Sequence, residues 1–145
     1  MHIGSSTSHF YRALGIEFHS QIGLTSNQIE DIEVNTQAYS EMLMIRQRPL
    51  DDFDPKNWKQ VAACCWFDGK QLRLKLPELG WLQISPIEIS YDLDPKADLS
   101  LLQVYLQSYA LGVQAMLRRQ LVLHASTVSR NGKAIVICGC CGVGK

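Results

Sequence analysis

The sequence has no excess of charge of either sign. Lysine and arginine together number 14, aspartate and glutamate together also number 14, and the formal net charge is therefore zero. Domains that bind nucleic acid normally carry a surplus of basic residues on one face. We therefore expect no nucleic-acid partner, and a site for a charged ligand must depend on local geometry rather than on an overall field.

The chain also lacks a long hydrophobic run and an apolar leader. Its most apolar stretch, residues 99–123, is interrupted by polar side chains such as Gln103, Gln107 and Arg118. It therefore does not provide the roughly 20 consecutive apolar residues that a membrane-spanning helix needs. Residues 1–9 are polar and lack the hydrophobic core of a secretory signal peptide. We expect a soluble, cytoplasmic protein with no membrane segment.

Cysteine is scarce and odd in number. Five cysteines without a secretion signal do not indicate a disulfide framework. Cys138 and Cys141 have the spacing of a zinc-ligand pair, but two further ligands at a suitable spacing are missing. We predict no metal site among the cysteines, and we interpret Cys64, Cys65 and Cys138 as small hydrophobic residues buried in strands.

What the sequence does contain is the composition of a folded protein, with 46% hydrophobic and 19% charged residues. Apolar residues that alternate with polar ones, or that form short runs between turn signals, predict several strands. These predicted strands cover residues 16–19, 31–35, 61–67, 71–76, 80–85 and 87–91. Asp68-Gly69 is a tight-turn signal that joins two of them as a hairpin. We predict a strand-rich, antiparallel N-terminal domain over residues 1–95.

Residues 96–145 are predicted to form a helix and the start of a second domain. Asp98 can cap a helix that runs to about Arg119. Apolar residues recur there at three- and four-residue steps and form one stripe. The stripe consists of Leu99, Leu102, Leu106, Tyr109, Val113 and Met116. A strand at 121–129, an Asn131-Gly132 turn and an apolar strand at 133–138 follow.

The strand at 133–138 runs directly into a glycine-rich loop that has the pattern of a Walker A phosphate loop. The loop consists of Gly139, Cys140, Cys141, Gly142, Val143, Gly144 and Lys145. Glycines allow successive backbone N–H groups to point at phosphate oxygens, and the lysine places a positive charge beside the β- and γ-phosphates. The predicted fold class is thus α+β: the strand-rich part, one long amphipathic helix, and a β-hairpin that leads into a truncated P-loop NTPase core.

The sequence ends before the serine or threonine that would coordinate magnesium in this motif. We therefore expect the ligands of a Mg²⁺ ion to lie beyond Lys145, together with the helix that follows the loop and the catalytic acid. A chain of these 145 residues is expected to bind ATP weakly or not at all, and to be inactive by itself.

The C-terminal third resembles the HPr kinase/phosphorylase family, and especially its HPr-kinase-like serine kinases. The resemblance rests on the Leu123-His124-Ala125-Ser126 strand, the Asn131-Gly132 hairpin and a phosphate loop that starts fifteen residues after the histidine. Tyr11–Gly15, Trp66–Gly69 and the helix are similar mainly in layout. The departure is Cys140-Cys141, where proline or aspartate followed by serine is commoner in the family, and these cysteines could make the loop sensitive to oxidation.

The resemblance implies an ATP-dependent kinase that phosphorylates a serine of a protein or peptide, with ATP and Mg²⁺ as cofactors. It also implies that His124 lies near the catalytic acid and the phosphates. A hydrogen-bonded structural histidine is the other interpretation of His124, and the sequence leaves both open.

A second hypothesis is a nucleotide-gated binding module without kinase activity, in which the strand-rich part recognises a peptide or partner. An acidic pair at the end of the next core strand would favour the kinase. The sequence leaves room for a homo-oligomer.

Overall fold

The computed structural model confirms a mixed α+β fold. It describes residues 9–13, 16–24, 30–31, 43–50, 53–123 and 125–139. A nine-stranded sheet, one long helix on one of its faces, and a separate two-stranded hairpin account for the regular structure of these residues. Among them, no helix combines the length and the apolar character needed to cross a bilayer.

The sheet contains every strand before the helix. Its strands are β1 (His9–Ala13), β2 (Ile16–Ser20), β3 (Glu30–Asp31), β4 (Leu43–Gln47), β5 (Lys59–Ala62), β6 (Cys65–Phe67), β7 (Leu72–Leu76), β8 (Gly80–Ile84) and β9 (Glu88–Leu93). Their order across the sheet is β3-β1-β2-β4-β9-β8-β7-β6-β5. Of the strand predicted at 31–35, Asp31 lies in β3 and the remainder falls outside the described residues.

The predicted antiparallel character holds for the hairpins but not for the centre of the sheet. Strand β4 is parallel to both of its neighbours, β2 and β9. Strands β5 to β9 form an antiparallel meander whose last strand returns to pair with β4. Parallel pairing requires a long connection rather than a tight turn. Turn signals indicate only pairs of strands that are close together in the sequence. They therefore do not indicate the parallel pairs of β4 with β2 and with β9.

The predicted hairpin at 61–76 forms with one correction. The Asp68-Gly69 turn is present, and the carboxylate of Asp68 accepts the backbone N–H groups of Lys70 and Gln71, both at 2.8 Å. The single strand predicted at 61–67, however, is two strands, β5 and β6, separated by a turn at Cys64. Cys64 has a φ of 57°, a left-handed conformation that no continuous strand contains.

The helix begins and ends close to the predicted residues. Asp98 accepts the backbone N–H of Ser100 at 2.8 Å and so caps its N-terminus. It consists of an α-helical segment (Leu99–Tyr105), one π-helical turn (Leu106–Ala110) and a second α-helical segment (Leu111–Leu117). Beyond it, Arg119 has a φ of 62°, and its N–H closes the last turn on Met116.

The π-helical turn changes which face of the helix is buried. Such a turn holds one more residue than an α-helical turn, and it rotates everything downstream by about 100°. The buried residues of the helix are Leu102, Leu106, Ala110, Leu111, Gln114 and Ala115. The predicted stripe is right for Leu102 and Leu106, and Val113 is partly buried against the core. It is wrong for Tyr109 and Met116, and also for Leu99 before the π-helical turn, because these three are exposed.

The core lies between this helix and one face of the sheet. Side chains alternate along each strand, so every second residue points at the helix. Buried sheet residues in this core are Leu43, Ile45, Leu76, Leu82, Ile84, Ile89 and Tyr91. The helix, which the sequence assigned to residues 96–145, shares this core with the sheet. The domain boundary at residue 95 stays a prediction.

The separate hairpin matches the predicted turn and second strand. Strands β10 (Ala125–Arg130) and β11 (Lys133–Cys138) are joined by Asn131 and Gly132, whose φ angles of 53° and 72° fit a tight hairpin turn. The first strand starts at Ala125 rather than at residue 121. All of β11 is exposed, including Ile135, which is 69% accessible.

A glycine substitution tests the close packing at the end of the β8–β9 pair where β8 begins. A Cβ on Gly80 would lie 2.2 Å from the carbonyl oxygen of Asp92, and the residue has a φ of 118°. Gly80→Ala should therefore lower the free energy of unfolding by ~3 kcal/mol or more, from strain and overpacking together. Gly69→Ala is the matched control, because Gly69 also has a positive φ, 99°, but has nothing within 4 Å of the added atom. Equal losses in urea unfolding for the two variants would contradict the close contact.

Candidate functional site

The structure describes little of the predicted nucleotide site itself. His124 and the loop residues Cys140–Lys145 lie outside the described residues. Gly139, the first residue of the loop, is exposed and directly follows β11. The phosphate loop and the role of His124 therefore stay predictions. The structure describes the hairpin that leads to them.

The hairpin pairs the residues that adjoin the two parts of the predicted site in the sequence. Its register runs from Arg130 opposite Lys133, beside the turn, to Ala125 opposite Cys138 at the far end. Ala125 follows His124 in the sequence, and Cys138 precedes Gly139. The antiparallel pairing thus places Ala125 and Cys138, the described neighbours of His124 and of the loop, opposite each other.

The second face of the sheet, opposite the helix, carries polar groups that the sequence did not single out. The carboxylate of Glu88 on β9 accepts from two arginines. One is Arg46, whose Nη2 lies 2.6 Å from Oε2, and the other is Arg48, whose Nε lies 2.9 Å from Oε1. Arg48 also donates to the hydroxyl of Ser90 at 2.9 Å. These residues line a polar hollow of about 300 Å³.

The environment of Glu88 keeps it ionised. Burial alone would raise the pKa of its carboxyl, but hydrogen bonds from Ser90, Arg46 and Arg48 hold that pKa below its ordinary value. Two arginines on one carboxylate leave one positive charge in the hollow. Glu88 and its two arginines link β9 to β4 and to the residue that follows β4, and these strands pair in parallel. This is a structural role.

A buried arginine is the centre of a second polar group on this face. Arg73 on β7 is 1% exposed. Its Nε donates to Oε1 of Gln83 at 2.9 Å, and its Nη1 donates to the carbonyl oxygen of Leu50 at 3.2 Å. Gln83 in turn donates to Gln71 at 2.8 Å. Arg73 therefore fastens the segment that contains Leu50 over the second face of the sheet.

Four aromatic rings, Phe53, Trp58, Trp66 and Trp81, form a cluster on this face, and two of them contact this arginine. Phe53 lies 5.2 Å from Trp66 and 5.3 Å from Trp81, measured between ring centroids. The guanidinium carbon of Arg73 lies 5.2 Å from the centre of the Phe53 ring and 5.4 Å from that of Trp58. Contacts of this kind stabilise a cation that is removed from water. This cluster covers the β6–β8 part of the second face of the sheet.

The cysteines need a correction. Cys65 is buried in β6, as predicted, and burial raises the pKa of its thiol. Cys64 is exposed in the turn before β6, and Cys138 is in a strand but exposed. Their positions follow from the turn at Cys64 and from the hairpin standing apart from the core. The described part of the chain contains no group of three or more metal-ligating side chains suited to an ion.

Comparison of the chain with protein-family models, with curated proteins and with solved structures gives no significant match.

Removing the buried guanidinium of Arg73 should lower the free energy of unfolding more than removing the partly exposed ammonium of Lys75 on the same strand. Arg73→Met leaves Gln83 and the Leu50 carbonyl without their donor, at a cost of about 2–3 kcal/mol in the free energy of unfolding. Lys75→Met, the control on β7, loses a contact with Trp81 and a 3.9 Å ion pair with Asp94, both partly exposed, and should cost ~1 kcal/mol or less. Similar losses for both variants in chemical unfolding would contradict the role of Arg73.

The Glu88 group predicts part of the acid sensitivity of the fold. Because the pKa of Glu88 is lower in the folded state than in the unfolded chain, its contribution is complete above the unfolded pKa. That contribution is lost as the pH falls from there through the folded pKa. Glu88→Gln should be less stable than the parent at neutral pH and should lose less stability on acidification. Glu78→Gln, an exposed carboxylate outside the group, serves as control. A parent-like acid slope for Glu88→Gln in thermal unfolding would contradict this account.

Proposed function

We propose that the chain is the nucleotide-binding part of an ATP-dependent serine kinase of the HPr-kinase-like type. The observation that carries the proposal is the apolar strand β11, which ends at Cys138 and is followed at once by Gly139 and the glycine- and lysine-containing loop. A strand that leads directly into such a loop is the context that a phosphate loop requires. A glycine-rich turn at a strand end would need neither the three later loop residues Gly142, Gly144 and Lys145 nor their spacing.

The residues at the end of β11 suit a triphosphate by their chemistry. Backbone N–H groups of the loop would hold the phosphates, and Lys145 would neutralise their charge. ATP would supply the phosphoryl group, with Mg²⁺ neutralising charge on it. In this proposal His124, which precedes β10 in the sequence, would lie near the loop that follows β11 and would orient or polarise groups near the phosphates. The acceptor is a serine of a protein or peptide.

A nucleotide-gated binding module is the second candidate, and the catalytic acid distinguishes it from the kinase. Residues 125–139 contain no aspartate or glutamate. The acid that accepts the hydroxyl proton in a kinase must therefore come from elsewhere. If no such acid approaches the loop, nucleotide binding would act only as a switch for recognition by the strand-rich part.

Phosphoryl transfer by the gene product that contains these residues tests the proposal. Lys145→Ala should reduce serine phosphorylation from ATP by about a hundredfold or more, because a charge that stabilises the transferring phosphates is lost. Lys133→Ala, an exposed lysine at the other end of β11, should leave transfer unchanged. The readout is radiolabel transferred to serine peptides, with nucleotide affinity measured in parallel.

The outcomes separate the two candidates. Transfer that depends on Lys145 and not on Lys133 supports the kinase. ATP binding that depends on Lys145 without any transfer contradicts the kinase and supports the binding module. ATP binding that is unaffected by Lys145→Ala contradicts both.

A further inference from the structure

An apolar trough lies between the C-terminal half of the helix and the β5–β7 end of the sheet. It has a volume of about 430 Å³. Val61, Phe67 and Leu72 form its sheet wall, and Tyr109, Val113 and Met116 lie on its helix wall. This trough is separate from the hairpin that leads to the phosphate loop.

The trough exists because the helix wall is turned away from the core. An uninterrupted α-helix would direct Tyr109, Val113 and Met116 along the same face as Leu102 and Leu106. The π-helical turn rotates these positions sideways, and Met116 is consequently 62% exposed and Tyr109 38% exposed. On the opposite wall Val61 is 50% exposed. Exposed apolar side chains that face one another in a concave site are the usual lining of a ligand pocket.

A second hollow continues the trough at its polar end. It has a volume of about 730 Å³ and shares Phe67 and Met116 with the trough. The charged residues that line it are Asp68, Lys70 and Arg119. The Asp68 carboxylate already accepts from the backbone of Lys70 and Gln71 in its own turn. Burial alone would raise the pKa of the Asp68 carboxyl, but these hydrogen bonds hold that pKa below its ordinary value, so Asp68 stays ionised. The polar end therefore carries two cations and one carboxylate, and its net charge is positive.

The adjoining sheet edge does not favour an added peptide strand. Strand β5 is short, carries Lys59, and its register against β6 shifts between Gln60 and Ala62. Short length, lysine and a bulge are the features by which proteins prevent pairing at a sheet edge. A ligand should therefore occupy the trough with apolar groups rather than by pairing its backbone with β5.

We propose that this groove binds a small amphiphilic carboxylate, with its apolar chain in the trough and its carboxylate between Lys70 and Arg119. The trough supplies an almost wholly apolar lining for the chain, and the two cations supply charge-assisted hydrogen bonds to the head group. Burial, and to a lesser degree the neighbouring Cys65, raise the pKa of Tyr109. Its phenol stays neutral and adds no repelling charge.

Titration of the 145-residue chain with dodecanoate below its micelle-forming concentration tests the proposal. Binding is followed by calorimetry and by amide chemical shifts in heteronuclear NMR. Dodecanoate should bind with shifts at β6, β7 and the second helical segment, and octanoate should bind more weakly because it buries less apolar surface. Dodecyltrimethylammonium, which has the same chain with the opposite charge, should bind more weakly than dodecanoate. Equal affinity for the two charged ligands would overturn the proposal.

Matched variants locate the ligand. Met116→Glu places a carboxylate in the trough and should abolish measurable binding, whereas Val104→Glu, an exposed position on the same helix outside the trough, should not. Lys70→Ala and Arg119→Asn should each weaken dodecanoate binding about two- to fivefold, as expected for surface ion pairs. Asparagine is chosen because it tolerates the positive φ of Arg119. Arg118→Asn, beside it but outside the groove, should have no effect.

The NMR spectra also show that each variant is folded, so a loss of binding can be assigned to the groove. Shifts confined to the exposed hairpin, or binding that Met116→Glu leaves intact, would overturn the proposal. So would binding of an apolar peptide in preference to dodecanoate at the same residues. None of these results depends on nucleotide, because the assay contains none.

Discussion

The packing of a single helix against a nine-stranded sheet is the interaction on which the rest of the structure depends. One helix is narrower than such a sheet, so it can cover only part of one face. The buried side chains of the helix share one core with residues of β1, β4, β7, β8 and β9. The β5–β6 end of the sheet is left partly uncovered, and the trough lies there.

On the opposite face of the sheet, side chains of the described residues pack against one another without a helix. Its strands present arginine, glutamate, glutamine and tryptophan rather than aliphatic residues, and these side chains satisfy one another. Arg73 holds the segment around Leu50, whose own N–H donates to Asp92 at 3.0 Å. A buried cation is tolerable only when its donors are all used and its surroundings are polarisable, and the aromatic cluster meets the second condition.

Local features of the fold were predictable from the sequence, and features that depend on distant residues were not. Asp98, Asp68-Gly69 and Asn131-Gly132 each act through neighbours a few residues away, and all three do what their patterns predict. The parallel pairing of β4, the burial of Arg73 and the Glu88 group join residues separated by many positions, which no local pattern records. The nucleotide site is a motif in the sequence, and of it the structure describes only the strand that precedes it and Gly139.

The π-helical turn at Leu106–Ala110 has a consequence for how this protein can change in evolution. The direction in which the second half of the helix faces is set by the number of residues in that turn, not by which residues they are. Point substitutions in the walls can alter the size or polarity of the trough but leave that direction unchanged. Deleting a single residue from the turn would swing the exposed Met116 back over the core, so in this protein insertion and deletion, more than substitution, decide whether the trough exists.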